Sequence, residues 1–154
     1  MKKYVVHTLL LILLSTLLIS CTKQKDEFGV HGSFIIEFGT VCGWCAGEET
    51  ITVSSVKVDY MRHIPCGENK GTTNKTDEIS EEEWNAFTSS FDYSWFLTLD
   101  YNECNVCADG CDEYIKITSD GSSHEIRYSP SKEIEGMNSL REKLNNLMNK
   151  VSSD

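Results

Sequence analysis

The sequence predicts an α+β domain, an antiparallel sheet with two helices packed on it, stabilised by disulfides. Three observations carry that prediction. Segments rich in strand formers and segments of helical periodicity follow one another as strands, helix, strands, helix, an order that gathers helices on an antiparallel sheet. Apolar residues of the helical segments recur every three or four positions, the mark of one buried stripe. Six cysteines, Cys42, Cys45, Cys66, Cys104, Cys107 and Cys111, fall within the same stretch, and an even count of this kind reads as a disulfide framework in an exported domain.

Each element has its own signal. Residues 33–38, with Phe34, Ile35, Ile36 and Phe38, read as a first strand, and residues 40–47 as a turn carrying Cys42 and Cys45. Residues 49–54 alternate around Ile51 and Val53, and residues 56–64 continue with Val58, Tyr60 and Arg62, so Ser54-Ser55 turns a hairpin. Pro65 and Gly67 stop its second arm, because proline donates nothing to a ladder and glycine weakens it. Residues 70–77 are polar and threonine-rich, a pattern that suits an edge strand or a loop equally. Ser80 and Glu83 form a capping box, and the acids of that first turn suit the positive end of a helix dipole. Trp84, Phe87 and Phe91 then make one apolar stripe, and residues 93–97 pack the helix exit onto the sheet. After a cysteine-rich loop over 104–111, residues 114–118 form a strand with Ile115 and Ile117 on one face. Asp120-Gly121 turns the chain into a return strand over 125–128, which Pro130 ends. Met137, Leu140, Leu144, Leu147, Met148 and Val151 mark an amphipathic C-terminal helix.

Ahead of this domain lies a different kind of segment. Lys2 and Lys3 precede about 15 strongly apolar residues, fewer than the roughly 20 that span a bilayer, and the run ends at Ser20-Cys21. The segment resembles the bacterial lipoprotein signal, whose lipobox closes on a small residue and a cysteine. That resemblance implies cleavage after residue 20, lipidation of Cys21, and acylation of the new amino terminus. Two or three acyl chains anchor a protein durably where one holds it only marginally. The expected organisation is a signal peptide over 1–20, a lipidated tether and linker over 21–32, and a single α+β domain over 33–151. Lys25-Asp26-Glu27 resembles the export signal of Bacteroidetes surface lipoproteins, which implies an outer-membrane protein displayed on the cell surface. An ordinary charged tether is the plainer alternative.

Residues 33–150 resemble a family of small domains common in Bacteroidetes lipoproteins. The resemblance rests on a first strand entering a short cysteine turn, here Val41-Cys42-Gly43-Trp44-Cys45, followed by a hairpin. A serine-capped helix with an aromatic exit follows, and a last hairpin and helix close the domain. The family implies this fold and no established activity.

If residues 70–77 return as a strand and the Ser80 helix runs back, all six cysteines fall at one end of the domain, where three readings compete. The first is three structural disulfides, with at least one joining the 42–66 region to the 104–111 loop. The second is zinc, because Cys42-x-x-Cys45 with Cys104-x-x-Cys107 has the two-knuckle spacing of a ribbon. The third is thiol redox chemistry, since Cys42-Gly43-Trp44-Cys45 resembles a thioredoxin active-site turn. That chemistry draws on a helix start to lower the thiol pKa, whereas Glu48 and Glu49 and then strand residues follow here. Asp109, Asp112 and Glu113 could hold a cation but meet no calcium-loop pattern, so they read as solvated loop acids. Trp44 is the candidate binding residue, a large aromatic in a short crosslinked turn; packing against the disulfides around it is the competing expectation.

Charge and motifs narrow the functional classes. Removing residues 1–20 takes Lys2 and Lys3 and no acid, so 24 acidic residues face the 12 basic ones left of 14, a charge of −12. Such an excess repels phosphate backbones, which argues against nucleic acid. His31, His63 and His124 fit no metalloprotease spacing, and neither a phosphate-binding glycine loop nor a nucleophile elbow occurs. The expectation is a lipid-anchored binding or inhibitor module with no catalytic residue, metal or cofactor assigned. Its partners are the membrane, through the lipid, and a protein at the cysteine end. The competing class is an extracytoplasmic thiol-redox or zinc protein using Cys42, Cys45, Cys104 and Cys107.

Overall fold

The computed structural model of the chain describes residues 34–153, so the signal, Cys21 and the tether lie outside the described residues. Six strands form the sheet: β1 (Ile35–Cys42), β2 (Gly47–Val53), β3 (Lys57–Ile64), β4 (Gly71–Glu78), β5 (Cys111–Ser119) and β6 (Ser122–Tyr128). Their spatial order is β4-β3-β2-β1-β5-β6, and every neighbouring pair is antiparallel. Among the described residues three α-helices accompany them: α1 (Glu81–Thr88), α2 (Tyr93–Phe96) and α3 (Asn138–Ser153). The architecture is α+β with disulfides. Among the described residues no helix is long and apolar enough to cross a membrane.

Side chains alternate across the sheet, and the register sorts them into two faces. One face aligns Val53–Ile36–Ile117 and Ile51–Phe38–Ile115 across β2, β1 and β5, with Tyr60, Val58, Ile126 and Tyr128 extending it sideways. Nearly all of these are completely buried. From α3, Leu140, Leu144, Leu147, Met148 and Val151 bury the stripe that helical spacing predicts, and the helix lies against β2, β3 and β4. Lys75 on β4 donates to the carbonyl of Ser152 at 2.6 Å, closing the free end of α3 with a positive charge where the helix dipole favours one. The other face carries Glu37 paired with Lys116 at 2.8 Å, Asp59 accepting from Thr76 at 2.8 Å, and Arg127 stacked over Tyr114. Thr76 is exposed and the others are only partly buried.

Two boundaries differ from the sequence expectation, and one open reading is resolved. The first turn is shorter than 40–47, because β1 and β2 stay paired through Thr40↔Glu49 and Val41↔Glu48 to Cys42↔Gly47. Threonine and valine are good strand formers, and neighbours on both sides of β1 keep the ladder going. Residues 70–77 resolve as strand, β4, paired with β3 from Ile64↔Gly71 to Lys57↔Glu78. The helix started by Ser80 has its capping box, with Ser80 Oγ accepting from the Glu83 amide and Glu83 accepting from the Ser80 amide, but it ends at Thr88. Hydroxyls of Thr88, Ser89 and Ser90 bond back to carbonyls of the last turn, competing with its continuation. Phe91 therefore lies past the helix, where its ring meets Phe96 edge-on.

Splitting that segment changes what covers the sheet. A groove of about 240 Å³ separates α1 from α3, lined by Ala86, Phe87, Leu147 and Lys150 among others, so α1 borders α3. The short α2 is started by Asp92, which accepts from the Trp95 amide. It sends Phe96 against His124 of β6, ring centroids 5.2 Å apart. Asp120 and Gly121 both have positive φ, as a two-residue hairpin between Ser119 and Ser122 requires.

Candidate functional site

The end of the sheet where β1 finishes and β2 and β5 begin gathers all six cysteines. Cys42 bonds Cys111, directly opposite it on neighbouring strands, and Cys45 bonds Cys66 just beyond β3. Cys104 bonds Cys107 within the loop before β5. The expectation of a bridge between the 42–66 region and the 104–111 loop holds at Cys42–Cys111. The thiols of both ribbon knuckles are thus distributed over three disulfides. Cys42 and Cys45, the pair resembling a thioredoxin turn, are bonded to different partners. Among the described residues no three or more His, Cys, Asp or Glu side chains gather as a cation site.

Two glycines make the turn between β1 and β2 fit this crosslinked end. Gly43 donates its amide to the Gly110 carbonyl at 2.9 Å, and a Cβ there would fall 2.9 Å from Asp109 Cα. Gly47 has φ +81°, and a Cβ would fall 2.0 Å from the His63 carbonyl oxygen, which no side chain tolerates. Between them stands Trp44. Its backbone is left-handed at φ +54°, and its side chain is 80 % exposed. Packing against the disulfides, the competing expectation, is therefore not what this residue does. Left-handed backbone is uncommon for a bulky side chain and is worth a functional question.

The neighbouring loop is built around Asp112. Its carboxylate accepts from the Asn105 amide at 2.8 Å, from Asn105 Nδ2 at 2.8 Å and from the Val106 amide at 3.2 Å. The Asn105 carbonyl in turn accepts from the amides of Ala108 and Gly110, both at 2.9 Å. Burial works to raise the Asp112 pKa, but the hydrogen bonds from Asn105 and Val106 outweigh it, and the group is held below the ordinary aspartate value. Beside it, Glu113 accepts from Tyr128 Oη at 2.6 Å and from Arg141 Nη2 at 2.9 Å, while Arg141 also reaches the Pro130 carbonyl. Burial first, and then the Glu113 charge, push the Tyr128 phenol far above its usual range.

These contacts correct one expectation and show what was missed. Asp109 is exposed, but Asp112 and Glu113 are buried, not solvated loop acids. The signal for Glu113 was present in the alternation of β5: position 113 shares a face with Ile115 and Ile117 and so points toward the core. Asp112 had no comparable signal, because its partners lie in a loop seven residues away with no period of its own. The described histidines serve the fold. His63 Nδ1 is bonded to Thr72 Oγ1 at 2.8 Å, and His124 Nε2 to the Leu99 carbonyl at 2.9 Å.

The resulting site is a rigid, acidic end presenting one indole. Asp109 and Glu68 are exposed near it, and two long-range disulfides flank its turn. Chemically this surface offers an aromatic anchor and bridged sulfurs. No family model matches this sequence, and no curated protein is similar to it.

Proposed function

We propose that this chain is a lipid-anchored binding module, a ligand-capturing or inhibitory protein of the outer membrane displayed at the cell surface, with Trp44 as the anchor of its contact. One observation carries the reading: an indole 80 % exposed on left-handed backbone, in a turn flanked by the Cys42–Cys111 and Cys45–Cys66 bridges. Tryptophan is enriched among the residues that dominate binding energy. A crosslinked turn loses little freedom on docking, which leaves more of the contact energy for affinity. Three disulfides are compatible with an oxidising, extracytoplasmic setting, as the signal and Cys21 imply.

The test compares the full-length chain with its Trp44→Gly variant, each offered to a panel of extracellular proteins. Glycine keeps the left-handed turn and removes the indole. A partner held by the parent should lose about 30-fold in affinity or more, as for a dominant contact of about 2 kcal/mol. Equal binding by both versions overturns the assignment of Trp44. Anchoring is tested separately: Cys21→Ala should abolish lipid labelling and change the processed mass. An unchanged mass and unchanged detergent partitioning would remove the lipoprotein reading.

A further inference from the structure

The three disulfides are not equivalent. Cys42–Cys111 closes a span of 69 residues and Cys45–Cys66 one of 21, whereas Cys104–Cys107 closes only three. A crosslink stabilises mainly by restricting the unfolded chain, and the restriction shrinks with the span closed. The shortest bridge therefore adds least to the fold. Its loop also has a second, independent support. Asp112 accepts from the amides of Asn105 and Val106, the two residues between the cysteines, and the Asn105 carbonyl accepts from Ala108 and Gly110. None of these bonds uses a sulfur atom. Cys104–Cys107 is the bridge with both cysteines exposed; Cys45 is exposed as well, but its partner Cys66, like Cys42 and Cys111, is partly covered. Exposed bridges are the labile ones in proteins that carry several.

We propose that Cys104–Cys107 is a reversible thiol–disulfide exchange site, serviced by a dithiol reductant, on a domain whose other two bridges are permanent staples. The exchange is a two-electron step. A thiolate of the reductant attacks one sulfur of the bridge; the Cys104–Cys107 bond breaks as a mixed disulfide forms, and the other sulfur leaves as a thiolate that takes a proton. The reductant's second thiolate then displaces the remaining cysteine. The reductant ends as a disulfide, and Cys104 and Cys107 end as two thiols. Both cysteines start joined in the bridge, so the attacking thiolate comes from the reductant. This site is independent of what Trp44 contacts.

Dithiothreitol is the probe. The oxidised full-length chain in detergent is equilibrated with increasing dithiothreitol, quenched with iodoacetamide and mapped by peptide mass. Cys104 and Cys107 should become alkylated together at about tenfold less reductant than the other four cysteines require. The far-ultraviolet circular dichroism should not change over that step, and oxidised glutathione should reverse it. The double variant Cys104→Ser with Cys107→Ser should fold with the parent spectrum and lack the first step. One-step opening of all three bridges, earlier opening of Cys45–Cys66, or unfolding of the double-serine variant would each overturn the proposal.

Discussion

On the helix-covered face of the sheet, Ile36, Phe38, Ile51, Ile115 and Ile117 are fully buried, and α3 seals them with leucines. At the cysteine end the chain has almost no apolar burial, two non-glycine residues at positive φ, and an exposed tryptophan. The first region is held by removal of apolar surface from water, a force spread over many contacts. The second is held by a few specific links: two long-range disulfides and one buried carboxylate. The difference teaches where this fold can carry strained backbone and exposed aromatic surface. Covalent bridges permit both in a place where a packed core would not, because they hold the turn's geometry without requiring its side chains to be inside.

Changes to each region should break that contrast in different ways. Phe38→Ala, in the core, should destabilise the domain by about 3–5 kcal/mol, since it opens a cavity among fully buried neighbours. Chemical denaturation of parent and variant checks this, and a loss below about 1 kcal/mol would mean the core repacks freely. Removing the longest bridge with Cys42→Ser and Cys111→Ser should cost about 2–4 kcal/mol, the span of 69 residues being the one most restricted in the unfolded chain. A melting temperature equal to the parent's would show that the β1–β5 ladder suffices.

Asp112→Asn should cost about 1–3 kcal/mol, because a buried acceptor of three hydrogen bonds becomes partly a donor. Its effect depends on pH. The folded pKa of Asp112 lies below its unfolded value near 3.9, so the stabilisation is fully present above that value. It is lost as pH falls through the folded pKa. Parent and variant should therefore converge in stability below about pH 4 and differ most near neutrality. A constant difference across that range would assign the loss to packing, not charge. The smallest effect belongs to Trp44→Gly, within about 0.5 kcal/mol of the parent, since the side chain is exposed and glycine accepts the left-handed backbone. A large loss of stability there would mean that the indole serves the fold.

Much of the architecture was legible in sequence. The alternation of Ile51 with Val53 and of Ile115 with Ile117, the capping box at Ser80 and Glu83, the Asp120-Gly121 turn and the spacing from Leu140 to Val151 are all local. Each depends on a backbone period or on hydrogen bonds spanning a few residues. Boundaries failed where local signals were outvoted: serine and threonine hydroxyls shortened α1, and pairing on both sides of β1 drew Thr40 and Val41 into the ladder.

What sequence determined by itself, then, is most of the inventory of elements and the face each one buries; the gathering of cysteines at one end followed only if residues 70–77 formed a strand, which pairing with β3 decided. Tertiary structure decided how those parts meet. Insertion of β5 beside β1, across the sheet from β4, set Cys111 against Cys42 and left Cys45 for Cys66. It also carried Asp112 beneath the Asn105 amide and Glu113 against Tyr128 and Arg141. Periodicity reports only which way a side chain points relative to its own backbone. The partner it finds, and whether a residue such as Trp44 is covered or left in water, depend on segments tens of residues away that only the folded chain brings together.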